Sequence, residues 1–87
     1  MEIIKVQLSR EEIFYRVSDV LMEELQVGRK EITLESSLVN DLGITSIDRY
    51  KILMEIENEF NTAFNDEEIQ TADIVKDIVD LISNKLN

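Results

Sequence analysis

The apolar residues of this 87-residue chain recur with the spacing of an α-helix in three separate stretches. The chain has no proline and only 2 glycines, so little interrupts those stretches. Each stretch supplies one apolar stripe that can face a core. The stripes are Ile13, Val17, Val20, Leu21 and Leu25; then Ile47, Tyr50, Leu53, Met54, Ile56 and Phe60; then Ile74, Val75, Ile78, Val79, Ile82 and Leu86. The pattern predicts an all-α fold, a small antiparallel four-helix bundle with three long helices and one short one.

Capping residues set the expected bounds of the first helix. Ser9 and Glu12 have the spacing of a capping box, in which each side chain satisfies a free backbone N–H. The first helix is therefore expected over about residues 10 to 25. Gly28, a little beyond, is expected to end it in a left-handed conformation.

Similar signals mark the later helices. The second helix is expected to begin at Thr45 or Ser46 and to end near Asn61. Residues 65–68 offer another capping pattern, which predicts a short helical turn, and Thr71 can cap the last helix.

Residues 29–44 lack a helical stripe and form a long connection. Ile32, Leu34 and Leu38 are expected to fold inward from it. Connections of this length are uncommon in small domains and are often functional. Residues 1–9 are interpreted as an amino-terminal arm or an extension of the first helix, and the whole chain, residues 1–87, is expected to form one domain.

The charge of the chain restricts its partners. It carries 9 Lys and Arg against 19 Asp and Glu, a formal net charge of −10. Such a charge repels phosphate backbones and anionic lipid, so nucleic acid and membrane surfaces are not expected as partners, whereas basic patches on proteins are. The sequence has neither a long apolar run nor a start typical of a secretory signal. A cytoplasmic monomer is expected.

The residue types of most catalytic sites are absent. With no Cys and no His there is no cysteine nucleophile, no thiolate zinc site and no Ser-His-Asp triad. Asp66, Glu67 and Glu68 lack the spacing of an EF-hand calcium loop. The sequence therefore predicts no catalytic residue and no metal site, and a hydrolase that uses Ser46 is a remote alternative.

Three aromatic residues, Tyr50, Phe60 and Phe64, could line an apolar pocket. Aromatic residues at helical spacing more often belong to the core, and that is the expectation here.

The most informative segment runs from residue 40 to residue 48. It places the Ser46 hydroxyl in the first turn of a helix, just after Gly43, which is expected to let the loop meet the helix closely. Backbone N–H groups in such a turn have no intrahelical partner, and the macrodipole is positive there, so a phosphate ester is favoured. Taken alone, the turn is more often explained by an ordinary N-cap hydroxyl at Thr45 or Ser46.

The wider pattern resembles the acyl carrier protein family, including its peptidyl and aminoacyl carrier relatives. Residues 41–47 match the family's D-L-G-x-D-S-L motif, which puts Ser46 at the position that receives 4′-phosphopantetheine. Further matches are residues 25–27 to the L-G-V that ends helix 1, residues 55–60 to E-x-E-x-F, residues 65–69 to the P-D-E-E short helix, and residues from Thr71 onward to the closing helix. The resemblance covers about residues 10 to 86.

This resemblance implies a carrier and not an enzyme. A separate phosphopantetheinyl transferase would move the prosthetic arm from coenzyme A to the Ser46 hydroxyl. The terminal thiol would then hold an acyl or aminoacyl group as a thioester for loading and transfer enzymes with basic patches. Partner recognition is expected from residues around the same turn, which are Asp41, Thr45, Ile47, Asp48, Lys51 and Glu55.

Some residues depart from the family pattern. Thr45 replaces the usual Asp, Lys51 replaces a common Glu, Arg49 adds another positive group nearby, and Asn65 replaces a Pro. Residues 46–60 carry 4 acidic and 2 basic side chains, a net charge of −2.

Two questions about function stay open at this point. The altered charges on the second helix favour a dedicated pathway, such as polyketide, peptide or specialised acyl transfer, over bulk fatty acid synthesis. Ordinary solvated charges, with Lys51 paired to Glu55 at i, i+4, explain the same residues about equally well. An alternative function is an acidic helical adaptor that is never modified and binds a basic protein.

Overall fold

The computed structural model describes residues 8–86, and the part of the predicted arm over residues 1–7 lies outside them. Within that range there are four α-helices: α1 (Arg10–Leu25), α2 (Ser46–Phe60), α3 (Asp66–Thr71) and α4 (Val75–Leu86). This confirms the all-α prediction and the bounds expected for the first two helices. None of the helices in residues 8–86 is long and apolar enough to cross a membrane.

Ser9 and Gln26 set the two ends of α1. The Ser9 Oγ accepts a hydrogen bond from the Glu12 N–H at 3.1 Å, which confirms Ser9 as the N-cap, but the return bond from the Glu12 side chain is not among the described contacts. At the other end, Gln26 adopts the left-handed conformation with φ 58°. The prediction that Gly28 ends the helix is therefore wrong, because Gly28 has φ −82° and its N–H donates to Glu31 Oε2 at 2.7 Å.

One apolar core joins the helices, and α1 packs against both α2 and α4. Burying a side chain of the size of Leu or Ile stabilises a fold by about 1.5–3 kcal/mol. The helical residues of the core are Ile13, Val17 and Leu21 from α1; Ile52, Leu53, Ile56 and Phe60 from α2; Ile69 from α3; and Val75, Ile78, Val79 and Ile82 from α4.

The connection between α1 and α2 is fastened to the start of α4. Ile32 and Leu38 are buried and Leu34 is half-buried, as expected of side chains that fold inward. A three-residue 3-10 helix (Arg29–Glu31) opens the connection. Three backbone hydrogen bonds then join the two segments: Lys76 to Leu34 at 2.8 Å, Val75 to Ser36 at 3.1 Å, and Leu38 to Asp73 at 2.9 Å.

The short helix α3 begins at the predicted capping box. The Glu68 N–H donates to Asn65 Oδ1 at 2.8 Å, and the Asn65 N–H donates to Glu68 Oε1 at 2.9 Å. The prediction that Thr71 caps the last helix is wrong, because Thr71 is the last residue of α3 and its hydroxyl donates to a carbonyl one turn back at 2.8 Å. The Asp77 carboxylate instead accepts from the two N–H groups that precede α4, at 2.9 and 3.1 Å.

Candidate functional site

Ser46 is the first residue of α2, and its side chain is exposed. Thr45, the residue before it, is the N-cap, since it is extended and its Oγ1 accepts a hydrogen bond from the Asp48 N–H at 3.1 Å. Of the two hydroxyls that the sequence offered as caps, Thr45 is therefore the one that caps. This leaves the Ser46 Oγ at the surface without a structural hydrogen bond among the described residues.

Two backbone donors lie beside that hydroxyl. The N–H groups of Ser46 and Ile47 have no acceptor within residues 8–86. They belong to the first turn of α2, where donors lack intrahelical partners and the partial positive charge of the helix favours an anion. A phosphate ester on Ser46 would have both donors within its own turn, so the residues present fit such a group.

Gly43 and its two neighbours shape the turn before α2. Leu42 and Ile44 are buried, and the Ile44 N–H donates to Leu38 O at 2.8 Å. Gly43 has φ +71°, a conformation that costs a residue with a Cβ about 1–2 kcal/mol. A Cβ at Gly43 would meet no atom within 4 Å. The expected close approach of loop and helix is thus not the reason for glycine here, because the backbone angle alone requires it.

The residues predicted to be read by partners lie in the turn before α2 and along the first three turns of α2. Ile47, Asp48, Lys51 and Glu55 are exposed on α2. The ion pairs of residues 8–86 do not include one between Lys51 and Glu55, so the local pairing considered from the sequence is not formed. Asp41 is exposed as well, but its carboxylate accepts a backbone N–H of the same connection at 2.7 Å and so stabilises that turn.

An exposed apolar stripe runs along α2 from the residue after Ser46. The side chains of Ile47, Tyr50 and Met54 are 85%, 37% and 56% exposed. Their spacing of three and four residues places them on one side of the helix. Phe60 and Phe64 are buried as expected, whereas the prediction that Tyr50 belongs to the core is wrong.

Arg49 differs from the charged residues around it. Its side chain is half-buried, and its Nη1 donates to the carbonyl oxygen of Ile69 at 3.2 Å and to that of Ala72. The positive charge is thus directed at the end of α3, which corrects the expectation that it adds to the exposed face beside Ser46.

A groove of about 500 Å³ lies elsewhere on the molecule. It opens between the first half of α1, the connection from α1 to α2, and α4, with Phe14, Ile32, Leu34 and Val79 as its apolar lining. No residue of α2 lines it, so it is not part of the Ser46 site.

Comparison with known proteins assigns the chain to a family. The family model described as "Phosphopantetheine attachment site" matches residues 16–82. The chain is 39% identical over 79 residues to the acyl carrier protein of Coprothermobacter proteolyticus, covering 91% of this chain and 96% of that relative. The chain belongs to the acyl carrier protein family.

Further acyl carrier proteins agree with this assignment. The relative from Thermotoga maritima is 38% identical over 78 residues, covering 90% of this chain and 96% of its own length. The relative from Petrotoga mobilis is 32% identical over 80 residues, with 92% and 94% covered. The resemblance drawn from the sequence motifs is therefore confirmed.

Membership of the acyl carrier protein family identifies the prosthetic group as 4′-phosphopantetheine. Acyl carrier proteins are carriers and not catalysts, and they interact with phosphopantetheinyl transferases and acyl-handling enzymes. The start of α2 suits a phosphopantetheine ester, since it combines an exposed hydroxyl with two backbone donors that have no acceptor within residues 8–86.

Proposed function

We propose that this chain carries an acyl or aminoacyl group in the cytoplasm, with Ser46 as the attachment residue for 4′-phosphopantetheine. The observation that supports Ser46 is its exposed hydroxyl at the first position of α2, inside the region that the attachment-site model matches. The group supplies a terminal thiol, on which the cargo is held as a thioester. No residue of the chain is assigned a catalytic role.

The chain's own contribution is to position and to stabilise the ester. Thr45 holds the first turn of α2 in place through its bond to the Asp48 N–H. Gly43 supplies the left-handed backbone that brings the connection to this turn. The N–H groups of Ser46 and Ile47 can donate to phosphate oxygens, and the helix dipole favours the negative charge.

The exposed side of α2 supports a protein partner with an apolar centre and a basic rim. Ile47 lies next to Ser46, and Met54 lies about two turns further along α2. Both side chains are exposed, and exposed apolar residues that cluster in this way mark interaction surfaces. Asp48 and Glu55 lie on the same exposed part of the helix and attract basic side chains. Lys51 places a positive charge among them, which supports a partner enzyme of a dedicated pathway over one of bulk fatty acid synthesis.

Attachment at Ser46 is tested by incubating the purified chain with coenzyme A and a promiscuous phosphopantetheinyl transferase. Intact mass is expected to rise by one phosphopantetheine, and Ser46→Ala should abolish the increase without loss of helicity by circular dichroism. Ser9→Ala is a matched control, because Ser9 is also a serine at the start of a helix and should leave the modification complete.

Two results would contradict the proposal in different ways. Failure of modification with every transferase tried, together with an unmodified Ser46 in protein from its own host, would favour an acidic adaptor that binds a basic partner without a prosthetic group. Efficient loading and elongation by a general fatty acid synthase would leave the carrier function in place but contradict the dedicated pathway.

A further inference from the structure

The last carbonyl groups of α3 lack the partners that a continuing helix would give them. In an uninterrupted helix the Ile69 carbonyl would accept from the Asp73 N–H, and the Ala72 carbonyl from the Lys76 N–H. Both donors are used elsewhere: the Asp73 N–H bonds a carboxylate of α4 at 2.9 Å, and the Lys76 N–H bonds the connection before α2 at 2.8 Å. The end of α3 therefore needs donors from another element.

Arg49 of α2 supplies these donors. Its Nη1 lies 3.2 Å from Ile69 O and also donates to Ala72 O. A positive group at the C-terminal end of a helix is stabilising in its own right, because it faces the negative end of the macrodipole. The next residue, Tyr50, adds a second link, since its Oη accepts from Gln70 Nε2 at 3.0 Å. Adjacent residues of α2 thus hold the last turn of α3.

The position of α3 depends on such links because the helix is short. It has six residues, and isolated helices of that length are not stable in water. Its start is held by the Asn65 capping box and by an ion pair from Lys85 of α4 to Glu68 at 3.0 Å. Its end is held by Arg49, which lies three residues after Ser46 on the same helix. The end of α3 is therefore linked to the turn that presents the Ser46 hydroxyl.

We propose that Arg49 is a positioning residue for the modification of Ser46, acting through α3. By holding the last turn of α3 against the first turns of α2, it keeps α3 part of the surface that a transferase contacts around the hydroxyl. One helical turn rises about 5.4 Å, so Arg49 lies within one turn of Ser46 along α2, and we expect an enzyme docked over Ser46 to reach the end of α3 that Arg49 holds. The Arg49 guanidinium itself donates to carbonyl groups at the end of α3. The proposal rests on Ser46 as the attachment residue.

The test measures transferase kinetics with the carrier chain as the varied substrate. In Arg49→Met, KM for the chain is expected to rise about tenfold, equivalent to ~1.4 kcal/mol of binding, while kcat changes less than about twofold. The kcat is expected to stay nearly the same because Thr45 and Gly43, which shape the turn at the Ser46 hydroxyl, are unchanged. Arg49→Lys should recover part of the loss, since an ammonium can still donate to the α3 carbonyls.

Two further variants distinguish the loss of a link between α2 and α3 from the loss of a positive charge. Gln70→Met removes the second link between α2 and α3 without changing charge, and it should raise KM in the same direction by a smaller factor. Lys30→Met removes one positive charge from an exposed site outside α2 and α3, and it should leave KM unchanged. Gln70→Met keeps the proposal testable even if Arg49→Met folds poorly, and Lys30→Met is the control for the loss of charge.

Amide hydrogen exchange supplies a readout that does not depend on the enzyme. In Arg49→Met the N–H groups of Gln70, Thr71 and Ala72 should exchange faster, while those in the middle of α1 should not. A raised KM without faster exchange in α3 would overturn the proposal in favour of direct contact between Arg49 and the enzyme. Unchanged KM and unchanged exchange would overturn it outright. A wild-type chain that is never modified would instead contradict the attachment site itself.

Discussion

Lys85 Nζ lies 3.0 Å from Glu68 Oε1 and so joins the last turn of α4 to the capping box of α3. The same carboxylate accepts the Asn65 N–H at 2.9 Å. The backbone hydrogen bond from Asn65, and after it the ammonium of Lys85, hold the pKa of Glu68 below its ordinary value. Protonation of Glu68 therefore weakens two contacts, the hydrogen bond from the Asn65 N–H and the ion pair with Lys85.

The first prediction is a loss of stability in acid that depends on Glu68. Because its pKa is lowered in the folded state, its contribution is complete above the ordinary glutamate pKa, about 4.3, and is lost as pH falls through the folded-state value. Glu68→Gln should lower the free energy of unfolding at about pH 7. It should also make the free energy of unfolding fall less steeply from about pH 5 to about pH 3, the window around the ordinary glutamate pKa. Urea unfolding at a series of pH values measures both effects.

The neighbouring carboxylate provides the control for this prediction. Glu67→Gln removes the same charge from the exposed first turn of α3, without touching the capping box or Lys85. It should leave the steepness of the acid transition close to that of the wild type. Asp80 behaves like Glu68, since the hydrogen bond from Lys76 lowers its pKa, so some acid sensitivity will persist in Glu68→Gln. Equal slopes for Glu68→Gln and wild type would contradict the assignment.

The second prediction concerns Ser18, which is fully buried in α1. Its Oγ has no hydrogen-bond partner among the described residues. A buried hydroxyl without a partner costs about 1–3 kcal/mol, and alanine is also the better helix former. Ser18→Ala should therefore raise the free energy of unfolding by about 1 kcal/mol, measured by urea denaturation.

A second serine of the same helix is the comparison for Ser18. Ser9 caps α1 through its hydroxyl, so Ser9→Ala should lower the free energy of unfolding by about 1 kcal/mol. The two substitutions remove the same oxygen and are expected to have opposite signs. A stability loss in Ser18→Ala would show that its hydroxyl has a partner in solution, such as a buried water.

Local chemistry explains what the sequence could predict. The caps at Ser9 and Asn65, and the position of Ser46 at the start of α2, each depend on side chains within four residues of one another. Two helix ends were predicted wrongly. Gln26 adopts a left-handed conformation usually taken by glycine, so Gly28, two residues later, was predicted to end α1 instead. Thr71 was predicted to cap α4, but it is the last residue of α3.

Tertiary structure explains what the sequence could not predict. Helical periodicity identifies an apolar sector of α2, but it does not say which part of that sector faces the core, so Tyr50 and Met54 were grouped with Leu53. The contacts of Arg49 lie 20 and 23 residues further along the chain, beyond any local pattern. The sequence predicted the motif around Ser46 and the short helix α3, but not the hydrogen bonds from Arg49 that join α2 to α3.

The third prediction compares two adjacent residues of α2, one on the buried side of the helix and one on the exposed side. Met54 is 56% exposed and Leu53 is 2% exposed. Met54→Ala should change the free energy of unfolding by less than about 0.5 kcal/mol, while Leu53→Ala should lower it by about 2–5 kcal/mol. Binding of the loaded chain to an acyl-handling enzyme, measured by titration calorimetry, should weaken in Met54→Ala. Unchanged affinity in that variant would contradict the use of the exposed stripe by partners.

The fourth prediction concerns Thr45, which caps α2 where the family usually has Asp. Thr45→Ala removes the acceptor of the Asp48 N–H and should lower the free energy of unfolding by about 1 kcal/mol. Thr45→Asp keeps an acceptor at the same position and adds a negative charge to the positive end of the helix, so its stability should equal or exceed that of the wild type.

The same pair of variants shows whether Thr45 affects transferase recognition. If partners approach with basic side chains, the added carboxylate of Thr45→Asp should lower KM for a promiscuous transferase, and this advantage should shrink as salt screens the charge. Thr45→Ala should load to completion, since the Ser46 hydroxyl is still present on a folded chain. A higher KM for Thr45→Asp than for wild type, at every salt concentration, would instead mean that threonine is the residue this chain's partners require, because the added charge would then be opposing recognition.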